Sequence, residues 1–188
     1  MRLAVLGSTG GTGKQVVEQA LGRGHRVVAL ARRPEAVTVR HDRLVVRRAD
    51  VMDPDSLRDA LAPLPEGPLD AVVSGLGVVR FAEMFREITL YSAGGRNLVA
   101  AMAAQGLKRV VVVTSGGVEA KDPAFGWFYE RVMRPVLLAR AYADMRRLEA
   151  VMQGSGLDWT VVRPTQLTDE ALTGQYRVSP RLSPPGGT

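Results

Sequence analysis

The chain of 188 residues is 46% hydrophobic, 23% charged and free of cysteine, which suits one domain with a buried core and excludes global disorder, disulfides, thiolate nucleophiles and Cys-ligated metals. The net charge of +6 comes from 22 Arg and 3 Lys scattered from Arg2 to Arg181 among acids, without interleaved aromatics, which argues for solvated faces rather than a nucleic-acid stripe. Two histidines, His25 and His41, cannot furnish a histidine-rich metal site, no apolar run approaches the ~18 residues that cross a bilayer, and a cytoplasmic location fits the composition.

Met1-Arg2-Leu3-Ala4-Val5-Leu6 has the charge and apolar run of a secretory signal, but glycines follow where the apolar stretch would continue, so it reads as a first strand. Short β-branched runs then alternate with helical patterns, the signature of βαβ units and a Rossmann-like, doubly wound parallel sheet in an α/β fold. Strands are expected at Leu3–Leu6, Arg26–Leu30, Leu44–Arg47, Ala71–Ser74, Val110–Thr114 and Trp159–Val162, each continuously apolar as for strands buried on both faces. Helices are expected at Gly13–Leu21, stopped by Gly22 and Gly24, and at Pro54–Leu61, opened by an Asp53 cap with proline at the first position. Two more fit Phe85–Gln105, weakened at Gly94-Gly95, and Tyr142–Gln153, stopped by Gly154 and Gly156, with Pro135 breaking the segment before it. Residues 1–178 form one domain in this reading, and Ser179–Thr188 a terminal loop.

The chemistry concentrates in Gly7-Ser8-Thr9-Gly10-Gly11-Thr12-Gly13, between the first strand and the first helix. A dinucleotide pyrophosphate needs a tight turn, a backbone without Cβ atoms where it approaches, and the free N–H groups of a helix N-terminus; Gly7, Gly10, Gly11 and Gly13, with Thr9 and Thr12, supply that setting. The other phosphate loop, with Ser or Thr after its lysine, is absent because Gln15 follows Lys14.

An NAD enzyme places a carboxylate at the end of the second strand, whereas this chain has Ala31-Arg32-Arg33. Two guanidiniums suit a 2′-phosphate, so NADP(H) is expected over NAD(H), unless both are ordinary surface arginines. Asp50 and Val51, after the third strand, would face the adenine or merely make a turn. After the fourth strand, Gly75-Leu76-Gly77 lets backbone approach the ribose and nicotinamide side of the cofactor.

These motifs, with Gly95-Arg96-Asn97-Leu98-Val99-Ala100-Ala101-Met102, Val113-Thr114-Ser115, Ser155-Gly156-Leu157 through Arg163-Pro164 and Leu172-Thr173-Gly174-Gln175-Tyr176, occur in one order. Together they resemble the atypical short-chain dehydrogenase/reductase branch that holds biliverdin-IXβ reductase (flavin reductase) and NmrA-like NAD(P)-binding proteins. The resemblance runs to Val178 and implies a Rossmann domain that binds NADPH and reduces flavins or related conjugated molecules. By position, it implies that Thr114 and Ser115 face nicotinamide and substrate, with Pro164, Thr165 and Gln166 over the carboxamide. It also implies a further strand and helix after the segment at Tyr176–Val178, whereas the sequence here runs to Thr188. The superfamily's Tyr with Lys four positions on is missing: Tyr91, Tyr129, Tyr142 and Tyr176 are followed at that spacing by Gly95, Met133, Arg146 and Pro180.

Reduction of an isolated carbonyl benefits from a positioned acid, whereas a flavin or linear tetrapyrrole delocalises the incoming charge, so the missing pair favours a conjugated acceptor. Ser115, ending the fifth strand, is the candidate donor, although serine is also a common turn residue. Phe81 and Phe85 after the fourth strand, and Phe125, Trp127, Phe128 and Tyr129 after the fifth, either wall a flat acceptor or fill the core. Arg80 either meets an acidic group of the substrate or is solvated. The rival to a reductase is an NmrA-like sensor that holds NADP without turning it over.

Overall fold

Valine-rich runs in this sequence form strands because β-branched side chains pack well on a pleated surface and restrict the helical alternative. In a computed structural model that describes residues 1–77, 86–119, 131, 135, 137–165, 167, 174 and 176–180, these are β1 (Arg2–Leu6), β2 (Arg26–Ala31), β3 (Leu44–Arg48), β4 (Ala71–Ser74), β5 (Arg109–Val113) and β6 (Asp158–Val162). They pair in parallel in the order β3-β2-β1-β4-β5-β6, the doubly wound arrangement of a Rossmann fold.

Alternation along the strands sorts the core into two layers. Val5, Val27, Ala29 and Ala31 meet Val17, Ala20 and Leu21 of α1 (Gly11–Gly22) on one face. Ala4, Leu6, Val28, Leu30, Val72, Val110 and Val112 meet α2 (Pro54–Ala60), α3 (Leu90–Ala104) and α4 (Ala139–Gln153) on the other. The expectation of strands buried on both faces holds for β1, β2 and β4 but not for the edge strands: β3 has no fully buried residue, and in β6 Trp159 and Val162 are 38% and 44% exposed. The cause is position: β3 and β6 close the two ends of the sheet, so each has a neighbour on one side only.

Local chemistry sets the helix ends. Asp53 caps α2 by accepting from the Asp55 and Ser56 amides at 3.0 and 3.1 Å, with Pro54 opening the helix. That cap contributes about 1 kcal/mol. The α3 helix starts at Leu90, five residues later than its periodicity suggests, because Asp144 of α4 receives the Tyr91 and Ser92 amides at 2.9 and 3.2 Å and fixes the first turn there. Gly94 and Gly95 do not break it. A Cβ at Gly94 would stand 2.7 Å from Val51 Cγ2 and one at Gly95 2.4 Å from Leu148 Cδ1, so both glycines admit close packing. After Pro135, α4 begins at Ala139, three residues before the expected start. Among the described residues no helix is long and apolar enough to cross a membrane.

Candidate functional site

The strand order reverses between β1 and β4, the switch point at whose carboxyl edge ligands bind in such sheets. Three backbone segments cross there. Gly7 has φ +75°, a conformation open to glycine, and a Cβ on it would lie 2.6 Å from the Gly75 carbonyl oxygen. A Cβ on Gly13 would lie 2.1 Å from the Gly7 carbonyl oxygen. These two glycines serve the protein's own packing.

Gly10 and Gly11 differ. A Cβ at Gly10 would meet only the Gly7 oxygen, at 3.4 Å, and one at Gly11 would meet nothing within 4 Å. Their bare backbone fronts open space at the N-terminus of α1. Gly10 is the N-cap and gives no side-chain cap, and the first turn holds no acid. The early amides of α1 therefore have no side-chain acceptor from the cap and carry the positive end of the helix dipole. Ser8 anchors the loop by donating to the Leu30 carbonyl at 2.9 Å, while Thr9 is exposed and Thr12 half-buried.

At the ends of β2 and β3, Arg32 and Arg33 are exposed, and neither has an ion-pair partner among the described residues. The register adds a residue that the sequence reading missed: Arg48 stands opposite Ala31, so a third exposed guanidinium belongs to this corner. Strand pairing was the missing signal, since Arg48 lies 16 positions from Arg32 along the chain. Asp50 makes a turn, accepting from the Met52 amide at 3.0 Å, and its own amide donates to Ser56 Oγ at 3.1 Å. The Val51 side chain is 4% exposed and packs on Gly94, with its carbonyl held by Asn97 Nδ2 at 3.0 Å.

The other half of the edge is built by β4, β5 and β6. Leu76 leans on the core while Gly77 is exposed, with nothing within 4 Å of a Cβ. Thr114 and Ser115, adjacent in sequence, are placed differently. Thr114 is 6% exposed and its hydroxyl donates to Glu149 Oε1 at 2.9 Å. Ser115 is half-buried at the start of the turn Gly116–Val118, and its Oγ accepts from the Gly117 amide at 3.2 Å, which leaves its hydroxyl proton without an acceptor among the described residues. The Gly116 amide donates to the Pro164 carbonyl at 2.8 Å, bringing Pro164 and half-buried Thr165 beside Ser115.

Beneath the turn lies an ion-pair network that the sequence reading passed over. Arg163 donates from Nε to Glu149 Oε1 at 3.0 Å, pairs through Nη2 with Glu149 Oε2, and donates from Nη1 to Glu119 Oε1 at 2.8 Å. These bonds hold the guanidinium's pKa above its ordinary value, the Glu149 hydrogen bond being the main cause. The available signal was an acid among Met145, Leu148 and Met152 on the apolar side of α4, where a carboxylate needs a partner. The expected site residues Arg80, Phe81, Phe85, Phe125, Trp127 and Gln166 lie outside the described residues.

Comparison with known proteins follows the same outline. A family model described as NAD(P)H-binding matches residues 7–188. The uncharacterized chloroplastic protein At2g34460 of Arabidopsis thaliana is 31% identical over 95% of this chain, which spans 64% of that relative's length, less than two thirds. The structure of ChuY, an anaerobilin reductase from Escherichia coli O157:H7, is 22% identical with a TM-score of 0.77, covering all of this chain and 84% of its own. A short-chain dehydrogenase/reductase from Veillonella parvula, solved in complex with NADP, is 18% identical with a TM-score of 0.64 over 86% of this chain and 68% of its own. At those identities the two structures speak for the fold. With the glycine crossing at the switch point and the family match over nearly the whole length, the chain belongs to the NAD(P)H-binding Rossmann family that includes NmrA-like proteins.

Proposed function

We propose that the chain is an NADPH-dependent reductase that passes hydride to a flavin or another conjugated acceptor at the carboxyl edge of β4, β5 and β6. The observation that carries this reading is the division among the loop glycines. Gly7 and Gly13 are required by packing, whereas Gly10 and Gly11 face open space in front of uncapped helix amides. That cradle fits a pyrophosphate: the amides of Gly11, Thr12 and Gly13 would donate to its oxygens, with the helix dipole favouring the charge. Arg32, Arg33 and Arg48 would hold a 2′-phosphate, since three exposed guanidiniums gather at that corner.

When bound, NADPH supplies the hydride. The chain supplies place and proton control. Gly77 leaves room beside β4, while the Ser115 hydroxyl, which has no acceptor among the described residues, would bond to the acceptor or the carboxamide. A conjugated acceptor spreads the incoming charge, so one weak donor suffices without the Tyr–Lys pair. The resemblance to biliverdin-IXβ reductase and the fold shared with a reductase support this acceptor class.

The test is NADPH oxidation with FMN, FAD and riboflavin as acceptors. Acceptor-dependent oxidation is expected, and Ser115→Ala should lower kcat about tenfold or more. Wild-type kcat and KM in Ser115→Ala with every acceptor would remove Ser115 from the mechanism. Tight NADPH binding with no oxidation would favour the non-catalytic NmrA-like sensor instead.

A further inference from the structure

The turn that presents Ser115 is tied down on both sides by groups far away in sequence. Before it, the Thr114 hydroxyl donates to Glu149 Oε1 at 2.9 Å and the Thr114 amide to the Val162 carbonyl at 2.9 Å. After it, Glu119 accepts from Arg163 Nη1 at 2.8 Å, and the Val118 carbonyl accepts from Arg146 Nη1 at 3.0 Å. Arg163 joins the two sides, because its remaining nitrogens, Nε and Nη2, grip Glu149. Glu149 and Thr114 are 5% and 6% exposed, so these bonds form in a poorly solvated setting where loss of one partner strands the others.

We infer that Glu149 and Arg163 are positioning residues that hold the Ser115–Val118 turn at the carboxyl edge of β5, so that the Ser115 hydroxyl meets the reacting acceptor in one orientation. Neither reaches the open edge itself: Glu149 is buried under the turn, and Arg163 spends all three guanidinium nitrogens on Glu149 and Glu119. The planar fork matters, since a lysine at 163 brings a charge but cannot bridge two carboxylates with three nitrogens. Misplacing a reacting group by an ångström costs turnover while leaving distant cofactor contacts in place. The pyrophosphate cradle at Gly10–Gly13 lies across the switch point on β1 and α1, which share no residue with this clamp. Damage to the clamp therefore separates turnover from nucleotide affinity.

The inference rests on the reductase reading for its catalytic consequence, and one experiment separates the two. Glu149→Gln and Arg163→Lys are compared with wild type for NADPH affinity by calorimetry, for FMN-dependent NADPH oxidation, and for amide hydrogen exchange at Gly116 and Gly117. The expected result is NADPH affinity within about twofold of wild type, kcat lowered about tenfold or more, and the Gly116 and Gly117 amides exchanging about tenfold faster. Wild-type kcat in a folded variant, unchanged exchange at those amides, or affinity and kcat falling in step would overturn the clamp. Should Glu149→Gln fail to fold, Arg163→Lys carries every arm. If wild type fails to oxidise NADPH with FMN, FAD or riboflavin, the reductase reading fails, and the exchange measurement alone decides whether Glu149 and Arg163 hold the turn.

Discussion

Glycines that look alike in Gly7-Ser8-Thr9-Gly10-Gly11-Thr12-Gly13 do different jobs, and substitution separates them. Gly13→Ala places a Cβ 2.1 Å from the Gly7 carbonyl, so backbone must move and the fold loses stability, by about 2 kcal/mol or more. Gly10→Ala sits at φ −85°, ψ 162°, where alanine is comfortable, and touches only the Gly7 oxygen at 3.4 Å. It should melt within a few degrees of wild type yet bind NADPH about tenfold more weakly or worse, because its methyl stands where the pyrophosphate approaches. Thermal melting and calorimetry on the two variants check the division. Sequence spacing made the loop legible but not the split, since the carbonyl that crowds Gly13 arrives through the turn at Gly7. Thr114 and Ser115 teach the same lesson: of these adjacent hydroxyls, one donates to a buried glutamate and the other finds no acceptor among the described residues. Only the packing of α4 against β5 and β6 distinguishes them.

At the scale of elements, strand and helix order was readable because β-branched runs and amphipathic stretches alternate cleanly. The residual differences are tertiary. Periodicity carries α3 back to Phe85, but its ordered start at Leu90 is set by Asp144, 53 residues beyond Tyr91 and on another helix. Asp144 is fully buried and accepts from Tyr91, Ser92 and Arg147, so it joins the α3 N-terminus to α4. Asp144→Ala removes a helix cap and leaves amides and a hydroxyl buried without an acceptor; it should cost about 3 kcal/mol in urea unfolding. A loss under about 0.5 kcal/mol would show that the helix pair stands without this carboxylate.

Between β1 and β4 a weaker latch responds to pH. Asp70 accepts from the Arg2 amide at 2.6 Å and from Arg2 Nη2 at 3.1 Å, and these hydrogen bonds, the backbone one foremost, hold its pKa below the ordinary 3.8. A depressed carboxylate pKa adds stability above the unfolded value that disappears as pH falls through the folded one. The melting-temperature gap between wild type and Asp70→Asn should stay level from neutral pH to about 5 and close below about 4. A gap that widens on acidification would contradict the assignment.

Across the whole molecule, the six parallel strands place the glycine crossing, the arginine corner and the Ser115 turn along one carboxyl edge. The glycine spacing, the Arg32-Arg33 pair and Ser115 at the end of the fifth strand were each singled out from sequence alone. Arg48 and the Glu149–Arg163 clamp emerged only when strand register and helix packing joined residues that the chain keeps apart. The three-arginine corner predicts discrimination as well as binding, because each charge-assisted contact to a 2′-phosphate contributes about 1.5–3 kcal/mol that the cofactor lacking it forgoes. Calorimetric titration of the folded wild-type chain with NADPH and with NADH tests the account most directly. It predicts one site, with NADPH bound about tenfold or more tighter than NADH and the difference lost in the Arg32, Arg33 and Arg48 triple alanine variant. Absence of binding heat from either nucleotide across several temperatures would contradict it.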